Sequence, residues 1–350
     1  LPSFLSVILN TFMIIALIIF KSNSHIPLAW SMIVAGFTQL ILLFINLGTI
    51  KIFWNIGIKS IYSLSIQLKK FFKRFLYSLL GSGIVQLNIF ISMLFASLVG
   101  EGAISHIYYA DRIIDLPFAL IAVAMSFTLL PYLSKNINDE IKNSKAFNET
   151  VIFCFIFAIP SSFGIFILSE DIIKVLFGRG EFSSKDILIT SRVLLIYSFS
   201  LPGYMLARIC NQIFYSYERV DYPVKAAIPT FICNIFLCII SYKAFGVLGL
   251  ATSSAISVWL NVFIQIYYLK KYFISFFQKT VVFDPMKLSK ILLSTLCMTL
   301  SILLIKLILD LNIYLNLFFQ IFIGLIVYFL ILNWLKLSEI KLIFQLKKFN

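Results

Sequence analysis

The residues best suited to chemistry lie in one apolar segment, residues 105–117, which carries three charged side chains within five positions. Helical spacing places Tyr108, Arg112 and Asp115 on one face, and Asp111 lies one turn before Asp115. A guanidinium offers a planar fork of N–H donors that matches phosphate oxygens. Charges at membrane depth normally face a bundle interior or a water-filled cavity. The segment therefore predicts either an anion-binding site in a cavity or an Arg112–Asp115 ion pair that locks two helices together.

The surroundings of Arg112 add two expectations. Asp115 can hold the guanidinium in place while the site is empty, and Pro117 removes a helical hydrogen bond, so we expect a kink just beyond the charges. Arg112 lies about eight residues into its helix, which is about 12 Å at 1.5 Å per residue. That depth predicts a guanidinium withdrawn from free hydration.

A second deep cation, Arg208, follows a break in the chain at Pro202 and Gly203. It shares one helical face with the polar side chains of Tyr204, Asn211 and Gln212. This polar stripe predicts a cavity lining that includes Arg112. The alternative is that the stripe only packs against the carbonyl groups of neighbouring helices.

The remaining residue types do not support bond-making catalysis. The sequence holds no metal-ligand cluster, no nucleophile–base pair and no phosphate-cradling glycine loop. Its two histidines, His25 and His106, are isolated near the predicted outer face, where interfacial solvation explains them. The five cysteines lack disulfide or zinc spacing, which predicts small buried hydrophobes. We therefore expect no enzyme activity, no metal and no organic cofactor.

The composition determines what kind of scaffold must position these residues. The 350 residues are 61% hydrophobic and 13% charged, with a mean hydropathy of +0.99, whereas soluble domains are about 45–50% apolar and about 25% charged. This excess of apolar side chains excludes a soluble enzyme, a disordered chain and a fibrous protein. The expected fold class is an all-α polytopic membrane protein. The net charge of +14 would suggest nucleic acid in a soluble protein, but here the charges belong to loops, so we expect no nucleic-acid partner.

Ten stretches are long and apolar enough for spanning helices, which need about 20 residues. They lie at 4–20, 26–48, 75–99, 104–131, 150–168, 188–214, 224–242, 248–269, 288–309 and 312–335. Ten spans bring both ends of the chain to the same side. Twenty of the 29 Lys and Arg residues fall on that side, six fall opposite and three lie within spans. Because basic loops stay in the cytoplasm, both ends are predicted to be cytoplasmic.

The segment 58–75 mixes basic residues with Ile, Leu and Phe. This pattern is typical of an amphipathic stretch that lies on anionic lipid at the inner membrane surface. Ordinary solvation of a basic loop explains the pattern equally well. Contact with membrane lipid is therefore one of two interpretations of this segment.

Four landmarks follow one another along the chain. They are YYADR at 108–112 with Pro117 and LLPYLS at 129–134, LFGRGEFS at 176–183, the residues Phe214, Tyr215, Asp221, Pro223, Val224 and Lys225, and GVLGLA at 246–251. Each is weak alone, but together they are fairly specific, and in this order they resemble the MurJ (MviN) lipid II flippase family. The landmarks cover about residues 100–265, and the pattern of spans extends the match over the whole chain.

The resemblance implies an exporter-type fold of the multidrug/oligosaccharidyl-lipid/polysaccharide superfamily, with two six-span lobes around a cavity. About ten transmembrane helices would then leave the N-lobe incomplete, without its first four spans. Residues 1–66 would be the last two spans of the N-lobe and a basic inner-surface linker. Residues 67–275 would be the six-span C-lobe, and residues 276–350 a two-span hairpin that forms a groove for a lipid tail.

The resemblance also implies roles for the charged segment. It places Arg112 among cavity arginines that contact a pyrophosphate–sugar head group, with Asp115 beside it and Arg208 at a second basic position. Tyr108 and Asp111 complete the predicted substrate-binding set. The other essential cations of the family would lie in the missing spans.

A sodium site has been linked to this family, and the resemblance would place Asn234 and Ser254 on it. The residue one turn after Asn234, where an acidic partner is expected, is Cys238, a poor ligand for a hard cation. Sodium coupling is therefore in question. The membrane potential is the other candidate drive, since it acts on charge with about 2.3 kcal/mol per elementary charge per 100 mV.

The predicted function is that of a flippase. It would move undecaprenyl-pyrophosphate-linked muropeptide, lipid II, across the bacterial cytoplasmic (inner) membrane by alternating access. Two alternatives remain open: a flippase for another polyprenyl-linked oligosaccharide, and a non-transporting membrane scaffold or relic.

Overall fold

A computed structural model describes residues 2–20, 26–48, 64–272, 284–308 and 312–337. Within these ranges every regular element is a helix, which confirms the all-α class. The helices are α1 Pro2–Phe20, α2 Ile26–Gly48, α3 Leu64–Val99, α4 Ala103–Pro117, α5 Ala124–Lys135, α6 Glu140–Phe177, α7 Ser184–Ser198, α8 Leu201–Ser216, α9 Asp221–Tyr272, α10 Pro285–Ile308 and α11 Ile313–Trp334. A π-helical turn, Phe118–Val123, joins α4 to α5.

The described helices overlap all ten predicted spans, and most but not all of these helices are long and apolar enough to cross a membrane. Six candidate spans are long and apolar enough to cross a membrane, and α7 with α8 makes a seventh if the bent pair counts as one. α9 counts once, although it contains two predicted spans, 224–242 and 248–269. The predicted spans at 4–20 and 75–99 overlap shorter apolar stretches, Val7–Phe20 and Gly83–Val99. Each of the ten predicted stretches therefore overlaps a helix.

The chain divides into two compact units, Leu1–Phe72 and Lys73–Asn350. In the first unit, α1 packs against α2 through buried small residues, Ala16, Ser31 and Ala35; small side chains let helices approach closely in a membrane. The predicted boundary at 275, His25 and residues 58–63 of the predicted amphipathic stretch lie outside the described residues. The three-domain division remains a prediction.

α6 is the centre of the second unit, where it contacts α5, α7, α8, α10 and α11. Its large side chains Phe147, Ile156 and Leu168 are almost fully buried. Lipid is as apolar as these side chains, so van der Waals packing and interhelical hydrogen bonds hold the helices together. Asp139 caps the helix by accepting a hydrogen bond from the backbone N–H of Lys142 at 3.0 Å, which lowers the pKa of the Asp139 carboxyl.

The helix that carries the charged segment changes its winding at Pro117. α4 passes into the π-helical turn and then into α5, so the chain continues as one candidate span, Ala103–Lys135. Proline lacks the N–H that an α-helix needs, and a single π turn is a common way to absorb such a local mismatch. The change of hydrogen bonding lies immediately after Asp115.

The span predicted at 188–214 is a bent pair rather than one straight helix. α7 and α8 meet at an angle of 43°. Pro202 lies in the first turn of α8, where its missing N–H costs little. The indole Nε1–H of Trp259 donates to the carbonyl of Phe199 at 3.0 Å, so a carbonyl at the bend finds a partner on α9.

α9 reverses its course at Gly246, which has φ +57° and ψ −133°. This left-handed conformation favours glycine because a Cβ would be strained there. Three residues later, Gly249 brings the two halves of α9 together: a Cβ at Gly249 would lie 2.6 Å from the carbonyl oxygen of Ser241. The turn therefore joins two closely packed helical halves.

The C-terminal hairpin of α10 and α11 is attached to α6 at two places. The hydroxyl of Tyr328, which is only 1% exposed, donates to the carbonyl of Ile156 at 2.6 Å. The Nζ atom of Lys306 lies 2.7 Å from the Asp171 carboxylate. A Cβ at Gly324 would lie 3.0 Å from the side chain of Ile302, so α10 and α11 are also in close contact with each other.

Candidate functional site

The charged cluster on α4 consists of Tyr108, Arg112 and Asp115. The Arg112 Nη2 atom donates to the Tyr108 hydroxyl at 2.9 Å, and the guanidinium lies 4.6 Å from the centre of the Tyr108 ring. The Arg112 Nη1 atom lies 3.7 Å from the Asp115 carboxylate. The three side chains that helical spacing groups together are therefore in contact, and the tyrosine and aspartate orient the guanidinium.

The cluster does not lock two helices together. Arg112 and Asp115 lie on the same helix, and their side chains are 59% and 53% exposed. The expectation that Arg112 is withdrawn from free hydration stays a prediction. Because the ion pair is open and long, N–H groups of Arg112 are accessible to an incoming anion. This geometry fits an anion-binding surface better than an ion pair that holds two helices together.

The opposite face of α4 fixes the direction in which the cluster points. Ala110, Ile113 and Ile114 are buried against the rest of the second unit. The ring of Tyr109 lies 4.6 Å from that of Phe177 at the end of α6. Since this face is packed, α4 cannot rotate freely, and the charged face stays outward. Asp111 is also exposed, next to the cluster.

His106 has a different environment from the one that the sequence suggests. Interfacial solvation was the wrong interpretation, because His106 is only 5% exposed. Its Nδ1 atom lies 2.9 Å from the Thr190 hydroxyl, and its Nε2 atom lies 3.5 Å from the Asp186 carboxylate on α7. Asp186 also accepts hydrogen bonds from Ser183, which caps α7. This network joins the first turn of α4 to the start of α7, two turns before Arg112.

We expect Thr190→Val to loosen this junction. The substitution keeps the shape of a fully buried side chain but leaves a ring nitrogen of His106 without its partner. An unpaired buried polar group costs about 1–3 kcal/mol, so the thermal unfolding midpoint in detergent should fall. Thr128→Val is the matched control, because Thr128 is exposed and its hydroxyl bonds only to the carbonyl of Met125. Equal midpoints for the two variants would contradict the assigned role of Thr190.

Arg208 lies on α8 and contacts α5. Its Nε atom donates to the hydroxyl of Ser126 at 3.2 Å. Ser126 follows Arg112 by about 20 Å of helix at 1.5 Å per residue. The structure thus places Arg208 on α8 beside Ser126, at a different level along the Ala103–Lys135 span from Arg112. A lining that includes both would extend over much of the membrane thickness, and the shared cavity remains a prediction.

The two residues predicted at a sodium site face different neighbours. Asn234 is fully buried and its Nδ2 atom donates to Asn88 Oδ1 at 2.6 Å. Ser254 lies close to the side chain of Tyr197 on α7. The sequence analysis missed Asn88 as a partner of Asn234 and Thr190 as a partner of His106. The only available signal was a polar side chain in an apolar stretch, which does not name its partner on another helix.

An apolar groove of about 520 Å³ lies elsewhere in the second unit, between α6, α8, α9 and α10. Its wall includes Phe155, Ile159, Trp259, Phe263, Leu288 and Leu292, with Lys270 at one end. α10 of the C-terminal hairpin contributes two of these residues. An extended hydrocarbon chain could lie in such a groove with a negative group near the lysine.

The helical bundle, with six helices in the described ranges long and apolar enough to cross a membrane, defines a multi-pass membrane protein with an open charged face on α4. The model of the family described as "Lipid II flippase MurJ" matches residues 1–328. The chain belongs to the MurJ lipid II flippase family.

Individual relatives and a solved structure agree with this assignment. The chain is 33% identical over 268 residues to "Probable lipid II flippase MurJ" of Aquifex aeolicus, covering 74% of this chain and 52% of that protein. It is 31% identical over 271 residues to the protein of the same name from Helicobacter pylori, covering 71% and 59%. The structure described as "Lipid II flippase MurJ, inward closed conformation" is similar with a TM-score of 0.76 and 27% identity, covering 94% of this chain and 66% of that chain. The chain thus spans about half the length of the curated relatives it matches.

Proposed function

We propose that the protein carrying this chain translocates undecaprenyl-pyrophosphate-linked muropeptide, lipid II, across the bacterial inner membrane by alternating access. The observation that carries the proposal is the open Tyr108–Arg112–Asp115 cluster on α4 in a chain of the MurJ family. A pyrophosphate offers oxygen atoms in the plane that a guanidinium fork prefers. The names of the relatives support the same substrate.

The other parts of the chain have roles that follow from this one. In our proposal Asp115 forms an ion pair with Arg112 between transport cycles, and the pyrophosphate displaces it. Arg208 and Asp111 contribute to the electrostatics of the path, and the apolar groove beside α10 accommodates part of the polyprenyl tail. The transport drive is the membrane potential rather than sodium.

The orientation is part of the proposal. Both ends of the chain lie in the cytoplasm, because the basic residues concentrate in the loops on that side. Arg112 then lies in the outer half of the membrane and Arg208 further toward the cytoplasm. The head group would meet the two cations in succession as it crosses.

The substrate class can be tested by direct binding. The purified protein in nanodiscs should bind lipid II, measured by native mass spectrometry or by quenching of a labelled precursor. A polyprenyl-phosphate-linked oligosaccharide without muropeptide should compete weakly. Equal or stronger binding of that second lipid would transfer the proposal to another polyprenyl-linked oligosaccharide. No binding of either lipid by the folded protein would support a non-transporting scaffold instead.

A further inference from the structure

The contact between α3 and α9 contains a group of neutral polar side chains at membrane depth. We call it the α3–α9 polar junction, and it consists of Asn88 and Ser92 from α3 and Asn234 and Cys238 from α9. Asn234 and Cys238 are fully buried, and Asn88 and Ser92 are partly buried. Polar groups in an apolar interior are costly unless they are paired. The hydrogen bonds within this junction therefore determine what else its polar atoms can bind.

Both the nitrogen and the oxygen of the Asn234 side-chain amide make hydrogen bonds. Its Nδ2 atom donates to Asn88 Oδ1 at 2.6 Å and lies 3.5 Å from Ser92 Oγ. Its Oδ1 atom accepts from the Cys238 thiol at 3.7 Å. The amide oxygens are the best hard ligands in the junction, and each accepts one hydrogen bond, from an N–H donor at Asn88 and from an S–H donor at Asn234.

None of the four side chains in the junction is an acid. In the part of the chain that the structure describes, no three His, Cys, Asp or Glu side chains come together in an arrangement that could hold a metal ion. Cys238 packs with Ala96, Ala103 and Leu250, which are apolar. A thiol is a soft ligand, and a buried cation without a counter-charge is strongly disfavoured. The residues present do not fit a sodium ion.

Ser254 lies close to the side chain of Tyr197 on α7. The neighbouring Ser253 lies 3.0 Å from the hydroxyl of Ser241 across the turn of α9. The Ser253 hydroxyl therefore joins the two halves of α9.

From this geometry we infer that the α3–α9 polar junction is a cation-independent contact. Neutral hydrogen bonds do the work that a bound cation and a carboxylate would do in joining α3 to α9. The inference concerns helix association and does not depend on the lipid that the protein carries. A sodium gradient would have no ligand set at this position through which to drive a change of conformation.

The test compares unfolding of the 350-residue chain in sodium chloride with unfolding in choline chloride at equal ionic strength. We expect the wild-type thermal midpoint to be the same in both salts. Cys238→Asp adds a carboxylate one turn from Asn234, and sodium should then raise the midpoint by a few degrees relative to choline, because a ligand that binds only the folded state stabilises it. Cys238→Ser is the matched control, since it adds a neutral oxygen, and its midpoint should be insensitive to sodium.

Two results would overturn the inference. The first is a wild-type midpoint that rises with sodium, or heat of sodium binding to the wild-type chain in calorimetry. The second is a folded Cys238→Asp variant whose midpoint does not respond to sodium. The absence of a carboxylate would then not explain why the wild-type junction is independent of cations. If Cys238→Asp does not fold, the calorimetric titration of the wild type alone decides. Lipid II binding is measured separately, so failure of the proposed substrate leaves these results interpretable.

Discussion

Arg112→Ala should abolish growth of a bacterium that depends on this protein for precursor translocation. The substitution removes a guanidinium whose N–H groups are oriented by Tyr108 and only loosely held by Asp115. Hydrogen bonds to charged groups contribute about 1.5–3 kcal/mol, so binding of the pyrophosphate head should weaken by roughly 10- to 100-fold. The measurements are complementation after depletion of the host flippase and lipid II binding in nanodiscs.

Lys142→Ala provides the control for this experiment. Lys142 pairs with Asp139 at the same three-residue spacing, and its side chain is 64% exposed, close to the value for Arg112. Removing it changes the net charge equally and should leave binding and growth intact. Arg112→Lys should be intermediate, because it keeps the charge and loses the planar fork. Wild-type growth with Arg112→Ala would remove Arg112 from the proposed site.

Gly249→Ala should produce the largest loss of stability among single-methyl additions to the described glycines of α9. The added Cβ would lie 2.6 Å from the carbonyl oxygen and 2.8 Å from the Cβ of Ser241. Backbone cannot move aside as a flexible side chain can, so the two halves of α9 must separate. Overpacking of this kind costs about 1–3 kcal/mol, which corresponds to a fall of roughly 2–10 °C in the thermal midpoint.

Gly83→Ala separates this steric effect from the general effect of replacing glycine in a helix. A Cβ at Gly83 meets nothing within 4 Å. Alanine is favoured over glycine in a helix by about 0.5–1 kcal/mol, so the midpoint should stay constant or rise slightly. A similar fall for both variants would mean that the close approach at Ser241 is not the cause.

The fold class and the charged face could be predicted from the sequence for physical reasons. Twenty apolar residues in a row have few alternatives to a spanning helix in lipid. The grouping of Tyr108, Arg112 and Asp115 depends only on the 3.6-residue period of one helix, and the structure brings these three together. The length of the apolar runs was therefore sufficient for the fold class, and the helical period was sufficient for the charged face.

What the sequence could not predict lies between helices. The environment of His106 depends on α7, which is 84 residues away along the chain, and the partner of Asn234 lies 146 residues away. The bend between α7 and α8 is completed by Trp259 from α9. Contacts of this kind depend on which helices become neighbours and on how each is rotated, and no spacing within one helix reports that.

The two attachments of the C-terminal hairpin have a mechanical consequence. Ile156 and Asp171 lie about 22 Å apart along α6 at 1.5 Å per residue, and the hairpin is fastened at both through Tyr328 and Lys306. A single contact would let the hairpin rotate about it, whereas two separated contacts resist both rotation and sliding of the hairpin relative to α6. In the proposed alternating-access cycle, a tilt of α6 would therefore tilt the hairpin with it. A hydrocarbon chain lodged against α10 would then be carried by the moving bundle instead of being left behind in the bilayer.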